Sequence, residues 1–384
     1  MRRELHRKPE LMYKEFETSK VIQRELKELG IPFTSGIGGT GVIGVIGSGE
    51  KPVVALRADI DALPLDEDSG VSFASEHEGR MHACGHDAHT TMLLGAGKML
   101  KDLEKANKLG KGTIKLAFQP AEEGGAGALH IREHLEDVDS IFGFHVWPGL
   151  PTGMVATRKG TIMASASFFK CFFKGKGTHG AMPHLGRDPV VAASAAIQAL
   201  QTLVSRTSSP FDSSVVSVTQ FKAGEAFNVI PDETMIGGTM RALTEQSMRT
   251  LIEKATVILE NIGEAYGCDT VIDFMEDVHP ITPPVVNSAG AYDKATRVAK
   301  LLLGEENVIL ETEPSMAAED FSYYTQKVEG AFIFLGIQND TLGSNYPLHH
   351  PKFLVDEGVL PIGAAYHTAL AMSSLGEGRL HEEL

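Results

Sequence analysis

The segment MHACGHDAH at residues 81–89 concentrates side chains that bind transition metals. Cys84 and His86 are separated by one residue, and His82 and His89 flank them. Thiolate and imidazole are ligands that Zn²⁺ and similar divalent ions accept readily. Taken alone, a cysteine is more often a small apolar residue in a core, which is the alternative for Cys84. Its spacing from His86 favours a metal site.

Two adjacent carboxylates, Glu122 and Glu123, follow the apolar run Thr113–Phe118 and precede Gly124 and Gly125. The glycines suit a tight loop at a functional site. The alternative is a solvated acidic turn, the usual environment of neighbouring carboxylates. Beside a metal that lowers the pKa of a bound water, one glutamate can bind the metal while its neighbour removes the proton. The pair therefore predicts metal-assisted hydrolysis.

Other histidines of the chain are either candidate metal ligands or surface residues. His145 follows the apolar run Ile141–Phe144, and His349 and His350 lie in the loop YPLHHP at 346–351. Each of these could bind a metal. The alternative for His145 is a core histidine bonded to a backbone carbonyl. For His349 and His350, the late pair, the alternative is a surface turn. Four other histidines stand among charged residues and are expected to be exposed: His6, His130, His134 and His381.

The elements that must position these residues are predicted to alternate between helices and apolar strands. Helices are predicted at Thr18–Leu29, which Gly30 ends, and at His89–Leu103. The strand-type runs are Val42–Ile46, Val53–Arg57, Thr113–Phe118, Ile141–Val146 and Ala331–Leu335. Near-continuous apolar strands between helices indicate a layered α/β domain whose sheet is buried on both faces.

In an open α/β sheet, ligands bind beyond the carboxyl ends of the strands. Three of the predicted strands lead to polar residues of the right chemistry there. One leads to Asp59 and Asp61, the next to the glutamate pair, and the third to His145. We therefore expect carboxylates and imidazoles along one edge of one sheet.

The middle of the chain follows a different order and predicts a smaller domain. Its strands and helices succeed one another as β-α-β-β-α-β, the split βαβ or ferredoxin-like unit. They are predicted at Ala166–Phe173, Pro189–Arg206, Val215–Phe221, Thr234–Ala242, Glu245–Tyr266 and Thr270–Phe274. We place this domain at 164–276, where it interrupts a catalytic domain made of 1–163 and 277–384.

Composition excludes several classes of protein. The 384 residues suit two or three domains. With 35 Lys and Arg against 50 Asp and Glu, the net charge is −15, which argues against binding to nucleic acid or to an anionic membrane surface. There is no apolar run of 18 residues, no Gly-x-Ser-x-Gly elbow and no phosphate-binding Gly-x-x-x-x-Gly-Lys-Ser/Thr. Three cysteines cannot form a disulfide framework.

The two ends of the chain point to different compartments. The N-terminus enters charged sequence without the apolar segment of a signal peptide. The last four residues, HEEL, are close to the Lys/His-Asp-Glu-Leu retrieval signal of the endoplasmic reticulum, and the alternative is a charged tail. We expect the endoplasmic reticulum lumen if a signal peptide precedes this chain, and the cytoplasm otherwise.

Five separated motifs together resemble the aminoacylase/carboxypeptidase family of two-metal amidohydrolases. Within it they resemble the branch of hippurate hydrolases and plant auxin–amino-acid-conjugate hydrolases. The motifs are RADIDALP at 57–64, MHACGHDAH at 81–89, FQPAEEG at 118–124, NVIPD at 228–232 and EDF at 319–321. The resemblance covers essentially the whole chain. It implies a two-metal catalytic domain and an inserted lid or dimerisation domain, so a homodimer through the insert is expected.

The resemblance also assigns roles by motif in the catalytic domain. Glu122 takes the role of general base. Many family members have His-x-Asp after the second strand, with that histidine as a ligand; Arg57 stands there and cannot bind a metal, and Asp59 is expected to orient a ligand imidazole. The metal ligands implied are Cys84, His86, Glu123, His145 and His349.

In the inserted domain, three residues match family positions that contact substrate. His179, in Gly177-Thr178-His179-Gly180-Ala181, matches the histidine that stabilises the tetrahedral oxyanion, in relatives often from the partner subunit. Asn228 and Arg241 match positions that hold the substrate carboxylate, which a guanidinium can bind bidentately.

The sequence therefore predicts an enzyme that cleaves the amide bond of N-acyl amino acids, with auxin (indole-3-acetyl) conjugates as the favoured substrates. A general aminoacylase or hippurate hydrolase is the alternative of the same class. A catalytically silent metal- or ligand-binding relative is the alternative of another class, and the presence of every proposed ligand and base speaks against it. Two divalent ions are implied; the resemblance favours Mn²⁺, and the mixed ligands also suit Zn²⁺, Ni²⁺ or Co²⁺.

Overall fold

A computed structural model describes residues 1–209 and 211–376. His381 and the C-terminal HEEL sequence lie outside the described residues. The chain divides into two compact units. The first comprises Met1–Ile162, Val285–Glu313 and the part of the chain from Asp320 onward, and the second comprises Met163–Pro284 and Pro314–Glu319. The predicted insert, 164–276, ends eight residues before the long segment of the second unit does.

The strands and helices of the described residues are given in chain order. The strands are β1 Phe33–Ile37, β2 Gly41–Gly47, β3 Val53–Asp59, β4 Thr113–Gln119, β5 Ser140–Pro151, β6 Val155–Ala156, β7 Gly160–Met163, β8 Ser165–Lys174, β9 Thr178–His179, β10 Ser214–Lys222, β11 Val229–Ile230, β12 Glu233–Ala242, β13 Asp269–Asp273, β14 Val285–Asn287, β15 Val308–Ile309 and β16 Glu329–Gln338. The α-helices are α1 Arg2–Arg7, α2 Phe16–Leu29, α3 His86–Lys105, α4 Ala128–Arg132, α5 Pro189–Thr202, α6 Glu245–Ala265, α7 Ala289–Leu303, α8 Ser322–Thr325 and α9 Val359–Leu375. None of these helices is long and apolar enough to cross a membrane.

The first unit is built on a mixed sheet with the strand order β1-β2-β4-β3-β5-β16-β6-β15. Its centre is parallel: β3 pairs with β4 on one side and β5 on the other, and β5 pairs with β16. Every residue of β3 is buried. The helix α9 packs against both α3 and α7, and all three helices contact the sheet. The layered α/β fold expected from the apolar strand runs is confirmed.

Parallel pairing brings the carboxyl ends of β3 and β4 to the same edge of the sheet. Asp59, the last residue of β3, lies opposite Gln119, the last residue of β4. The strand β5 is longer than its apolar run predicts and continues to Pro151, because β16 keeps pairing with it after β3 has ended. His145 is therefore inside β5 and not at its end, but it lies beyond the last residue that pairs with β3, Gly143.

The second unit has an antiparallel sheet in the order β10-β12-β8-β13. The helices α5 and α6 pack on it around an apolar core that includes Phe169, Phe173 and Leu259. The predicted order β-α-β-β-α-β is present, with a short β9–β11 pair added. The predicted helix Pro189–Arg206 ends as an α-helix at Thr202, and residues 203–207 continue as a π-helical turn.

Candidate metal centre

The start of α3 places the Cys-x-His pair against β5. Gly85 precedes the helix with φ +84°, in the left-handed region that favours glycine. A Cβ there would lie 2.5 Å from Cγ2 of Val146, so glycine is also required by space. This close approach brings Sγ of Cys84 to within 3.3 Å of Nε2 of His145.

The ring of His145 is oriented by its own strand. Its Nδ1 lies 2.7 Å from the carbonyl oxygen of Val146, which can only accept, so Nδ1 carries the proton. The Nε2 lone pair is then free and faces Cys84. Burial, followed by the nearby His89, lowers the pKa of His145 well below its ordinary value. A neutral imidazole is the form that binds a metal.

Asp61 connects two of the predicted ligands. One carboxylate oxygen lies 3.2 Å from Nδ1 of His86, and the other accepts the backbone N–H of Glu123 at 3.0 Å. Burial opposes protonation of His86, but Asp59, Asp61 and Glu123 outweigh it and raise its pKa to about 10. The sequence noted Asp61 only as a strand-end carboxylate at the edge of the sheet.

Asp59 lies farther from the predicted ligands than Asp61 does. Its shortest imidazole contact is to Nδ1 of His89 at 2.6 Å, and Nε2 of His86 is 3.6 Å away. The other nitrogen of His89 accepts the backbone N–H of Val146 at 2.9 Å, next to His145. Arg57 holds the second carboxylate oxygen of Asp59 at 2.7 Å. These contacts support the strand that carries His145.

The two glutamates lie in a tight loop after β4. Oε1 of Glu123 lies 3.3 Å from Nε2 of His349, and the Glu123 side chain is only 11% exposed. His349 has φ +62°, and its backbone N–H bonds to the carbonyl of Ala83 at 2.9 Å. The next histidine, His350, accepts the backbone N–H of Lys352 with its Nδ1. The structure thus separates the late pair: His349 faces Glu123, and His350 bonds within its own loop.

The structure brings the six residues predicted for metal binding and proton transfer together in three overlapping clusters. In each cluster the donor atoms lie within 4.8 Å of one another. The clusters are Cys84, His86 and His145; Cys84, Glu123 and His349; and His86, Glu122 and Glu123. Burial, and then the charges of Glu123 and Glu122, raise the pKa of Cys84 well above its usual value. The centre therefore concentrates negative charge in the interior.

Two buried atoms of the centre indicate what it holds. Nε2 of His86 and Oε1 of Glu123 lie 3.9 Å apart, and neither forms a hydrogen bond of good geometry with any described residue, although Nε2 of His349 lies 3.3 Å from Oε1. Leaving a buried polar group unsatisfied is costly, and native structures avoid it. A divalent cation between the carboxylate and the imidazole, which gives up its proton when the metal binds, satisfies both atoms. The residues present therefore fit divalent metal ions.

In the second unit, the β9–β11 pair places His179 next to Asn228. His179 lies opposite Val229, and the carbonyl of Asn228 accepts the backbone N–H of Gly180 at 2.7 Å. Nδ1 of His179 accepts the N–H of Ala181 at 3.1 Å, so in the neutral ring Nε2 carries the proton. The side chain is exposed. His179 is thus prepared to donate a hydrogen bond from Nε2.

Arg241 lies on β12 of the same unit, opposite Ala166 of β8. Its guanidinium is 5.8 Å from the ring centroid of Phe168 and is partly buried. In the part of the chain that the structure describes, no carboxylate lies within 4.0 Å of it, whereas Arg249 pairs with Glu245. A partly buried guanidinium without an acidic partner is suited to bind an anion.

The expectation that His6 is exposed is wrong. Its side chain is 1% exposed, with Nδ1 at 2.8 Å from Asp87 and Nε2 at 3.0 Å from Glu67. Arg2, one helical turn earlier, also pairs with Asp87. Burial alone would lower the pKa of His6, but these carboxylates raise it to about 9. The i, i+4 spacing places Arg2 and His6 on one face of α1, but it gives no signal that buried carboxylates lie opposite them. His130 and His134 are exposed, as expected.

Comparisons with known proteins agree on one family. The model of peptidase family M20/M25/M40 matches residues 55–373. IAA-amino acid hydrolase ILR1-like 4 of Arabidopsis thaliana is 45% identical over 379 residues, which cover 98% of this chain and 85% of that protein. N-acetyl-L-cysteine deacetylase of Bacillus subtilis is 40% identical over 372 residues, covering 95% of this chain and 85% of that protein. The crystal structure of a dinuclear metal-binding M20 peptidase from Bacillus subtilis has a TM-score of 0.81 at 36% identity, covering 98% of this chain and 96% of that one.

Proposed function

The chain belongs to peptidase family M20/M25/M40, a family of metal-dependent hydrolases that act on amides, and we propose that it hydrolyses N-acyl amino acids to a free acid and an amino acid. One observation carries this proposal. A glutamate, Glu122, stands in a cluster with His86 and Glu123, whose unsatisfied buried atoms fit a divalent cation. This is the arrangement that metal-assisted hydrolysis requires.

Five residues would hold the metal ions: Cys84, His86, Glu123, His145 and His349. Cys84, His86 and Glu123 each belong to two of the three clusters, and this overlap supports a site for two neighbouring ions. When bound, such ions lower the pKa of a water and polarise the carbonyl of the amide. Sulfur, nitrogen and oxygen donors together suit Mn²⁺, Zn²⁺, Ni²⁺ or Co²⁺, and we favour Mn²⁺ from the resemblance to the amidohydrolase branch.

Glu122 would move the proton. Its carboxylate accepts a proton from the attacking water as the water oxygen bonds to the amide carbon. It then delivers that proton to the amide nitrogen as the carbon–nitrogen bond breaks. The products are a carboxylic acid and the amino acid. Asp61 would keep the neighbouring Glu123 and His86 in place, because it hydrogen-bonds both.

The second unit would supply contacts to the substrate. The Nε2–H of His179 is free to donate to the oxygen that becomes negative in the transition state. Arg241 and Asn228 would bind the carboxylate of the amino-acid portion; the absence of an acidic partner for Arg241 among the described residues supports this. We infer that the insert serves as lid and dimerisation domain of a homodimer. The outer position of β10 in its sheet supports this, since edge strands offer unpaired backbone groups.

The favoured substrates are indole-3-acetyl amino acids. The 45% identity to a plant IAA-amino acid hydrolase supports this choice. The alternative is a general N-acyl-amino-acid hydrolase, which the 40% identity to an N-acetyl-L-cysteine deacetylase favours. For the compartment, the HEEL sequence supports the endoplasmic reticulum lumen if a signal peptide precedes this chain, with the cytoplasm as the alternative.

A substrate panel run across metals tests the proposal. Metal-stripped protein is reloaded with Mn²⁺, Zn²⁺, Co²⁺ or Ni²⁺ and assayed for release of free amino acid from indole-3-acetyl-alanine, benzoyl-glycine and several N-acetyl amino acids. We expect release only from reloaded protein, with the highest kcat/KM on the indole-3-acetyl conjugate. Equal or higher kcat/KM on the other acyl groups would favour the general hydrolase. No release from any substrate with any metal would contradict the proposal.

A further inference from the structure

We propose that Tyr13 and Glu15 are positioning residues that hold the loop of Glu122 and Glu123 in the geometry needed for proton transfer. The inference rests on the role proposed above for Glu122, but the contacts that carry it do not depend on the substrate. Tyr13 and Glu15 lie more than a hundred residues before the loop in the sequence. The sequence motifs assign neither residue a role.

The loop cannot keep its shape by local preference. Ala121 and Ala126 have φ +53° and +52°, in the left-handed region that L side chains rarely adopt, and they bracket the two glutamates. Between them Gly124 has φ +103°, which glycine tolerates. Non-glycine residues persist in this region only when the surrounding structure holds them there. The loop therefore depends on contacts from outside.

Glu15 supplies such a contact at the start of the loop. Its carboxylate is completely buried, and Oε1 accepts the backbone N–H of Ala121 at 2.9 Å. The same oxygen accepts the N–H of Tyr13, and Oε2 accepts the hydroxyl of Thr40 at 2.6 Å. A buried carboxylate is costly unless its oxygens are hydrogen-bonded, so a residue that only filled space would be apolar.

Tyr13 supplies the contact at the other end. Its hydroxyl donates to the carbonyl of Gly125 at 2.5 Å. A Cβ at Gly125 would lie 2.7 Å from the Tyr13 ring and 2.7 Å from Cβ of Ala121, so the ring lies directly against the loop. Tyr13 itself has φ +61°. Two residues of one short segment thus hold the residues before and after the glutamate pair.

The position of Glu15 argues against a simple helix-capping role. Glu15 is the N-cap residue of α2, where a side chain normally accepts a hydrogen bond from the first turn. Its side chain makes no such bond and turns instead to Ala121. The Glu15 side chain therefore bonds to the distant loop instead of to the first turn of its own helix.

Conservative variants test the inference. Tyr13→Phe removes one hydroxyl; the matched control is Tyr292→Phe, which removes a tyrosine hydroxyl that donates to the carbonyl of Leu310 at 3.0 Å, on elements outside the site. We expect Tyr13→Phe to lower kcat ~10-fold with KM and metal content unchanged, because small displacements of a catalytic group cost large factors in rate. Glu15→Ala should lower kcat ~10²-fold. Glu15→Gln should recover part of the loss, since its amide oxygen can still accept from Ala121.

Hydrogen exchange supplies a second readout that needs no substrate. In metal-loaded protein, peptides covering residues 119–127 should exchange faster in Tyr13→Phe than in the wild type, and those of Tyr292→Phe should not change there. Unchanged loop exchange, or an equal fall of kcat in Tyr13→Phe and Tyr292→Phe, would overturn the positioning role. A wild type that hydrolyses no N-acyl amino acid would overturn the proposed function alone, because the exchange comparison still decides the role of Tyr13.

Discussion

Sγ of Cys84 and Nε2 of His145 lie 3.3 Å apart in the interior, although 61 residues separate them in the chain. Gly85 makes this contact possible, because any side chain there would collide with Val146. Both atoms can act as metal ligands, and both residues belong to one cluster with His86. Two donors of this kind side by side, together with His86, form a set of ligands that a divalent cation can bind.

Cys84→Ser should lower metal occupancy, because a hydroxyl is a far poorer ligand than a thiolate. The matched control is Cys171→Ser, which alters a buried cysteine in the core of the second unit. Elemental analysis after dialysis should find a clear loss of bound divalent metal in Cys84→Ser and none in Cys171→Ser. A full complement of metal in Cys84→Ser would show that the thiol of Cys84 is buried in the core without binding a metal.

Arg241→Met tests recognition of the substrate carboxylate. A guanidinium–carboxylate hydrogen bond in a closed cleft is worth ~1.5–3 kcal/mol, which corresponds to roughly 10–150-fold in kcat/KM. We expect that loss on N-acyl amino acids and little loss on the matching amides, which lack the carboxylate. Arg249→Met, on the exposed face of α6, should leave both substrates unaffected. Equal losses of Arg241→Met on both substrates would mean that the residue is structural.

His179→Ala tests the oxyanion role of the insert. Removing a hydrogen bond that forms only in the transition state should lower kcat ~10²–10³-fold, with metal content unchanged. His184→Ala is the control, because His184 is an exposed histidine of the same unit. If a partner subunit supplies His179, mixing inactive His179→Ala and Glu122→Gln chains should restore part of the activity. No recovery after verified subunit exchange would mean that each chain uses its own His179.

Most of the strands and helices that the sequence predicted lie within two or three residues of the observed bounds, because long apolar runs leave few alternatives. The long helices α7 and α9 were not predicted. The run Val53–Arg57 became β3, extended by two residues to Asp59 through its pairing with β4. Short strands such as β9 and β11 carry no such pattern, since two residues show no periodicity. Their pairing, which places His179 beside Asn228, depends on the folded context.

The closeness of donor atoms was predictable where a motif placed donor types next to one another, as in Cys84 and His86. The roles of residues that hold other site residues in place were not predictable in this way. Asp61 joins His86 to the backbone of Glu123, a relation that follows from the parallel sheet and not from local spacing. The burial of His6 likewise depends on Asp87 and Glu67, which are distant in the chain.

The buried His6 predicts a pH dependence of stability. Its folded-state pKa of about 9 exceeds the ordinary 6.5, so its stabilising contribution is complete below about pH 6.5 and is lost as the pH rises through 9. The shift corresponds to about 3 kcal/mol. Arg2, Glu67, His82 and Asp87 are the charged or titratable groups that face it. The difference in free energy of unfolding between the wild type and His6→Gln should therefore shrink between pH 7 and 10; a constant difference would contradict the assignment.

The most direct test of the central claim is the turnover of Glu122→Gln with its metal content measured in the same sample. The amide keeps the shape of the side chain but cannot accept the proton of the attacking water. We expect kcat on the best N-acyl amino acid to fall at least ~10²-fold while bound metal stays at the wild-type level. Glu136→Gln, at an exposed glutamate of the same unit, should retain full activity. Near-normal turnover of metal-loaded Glu122→Gln would contradict the claim that Glu122 is the general base.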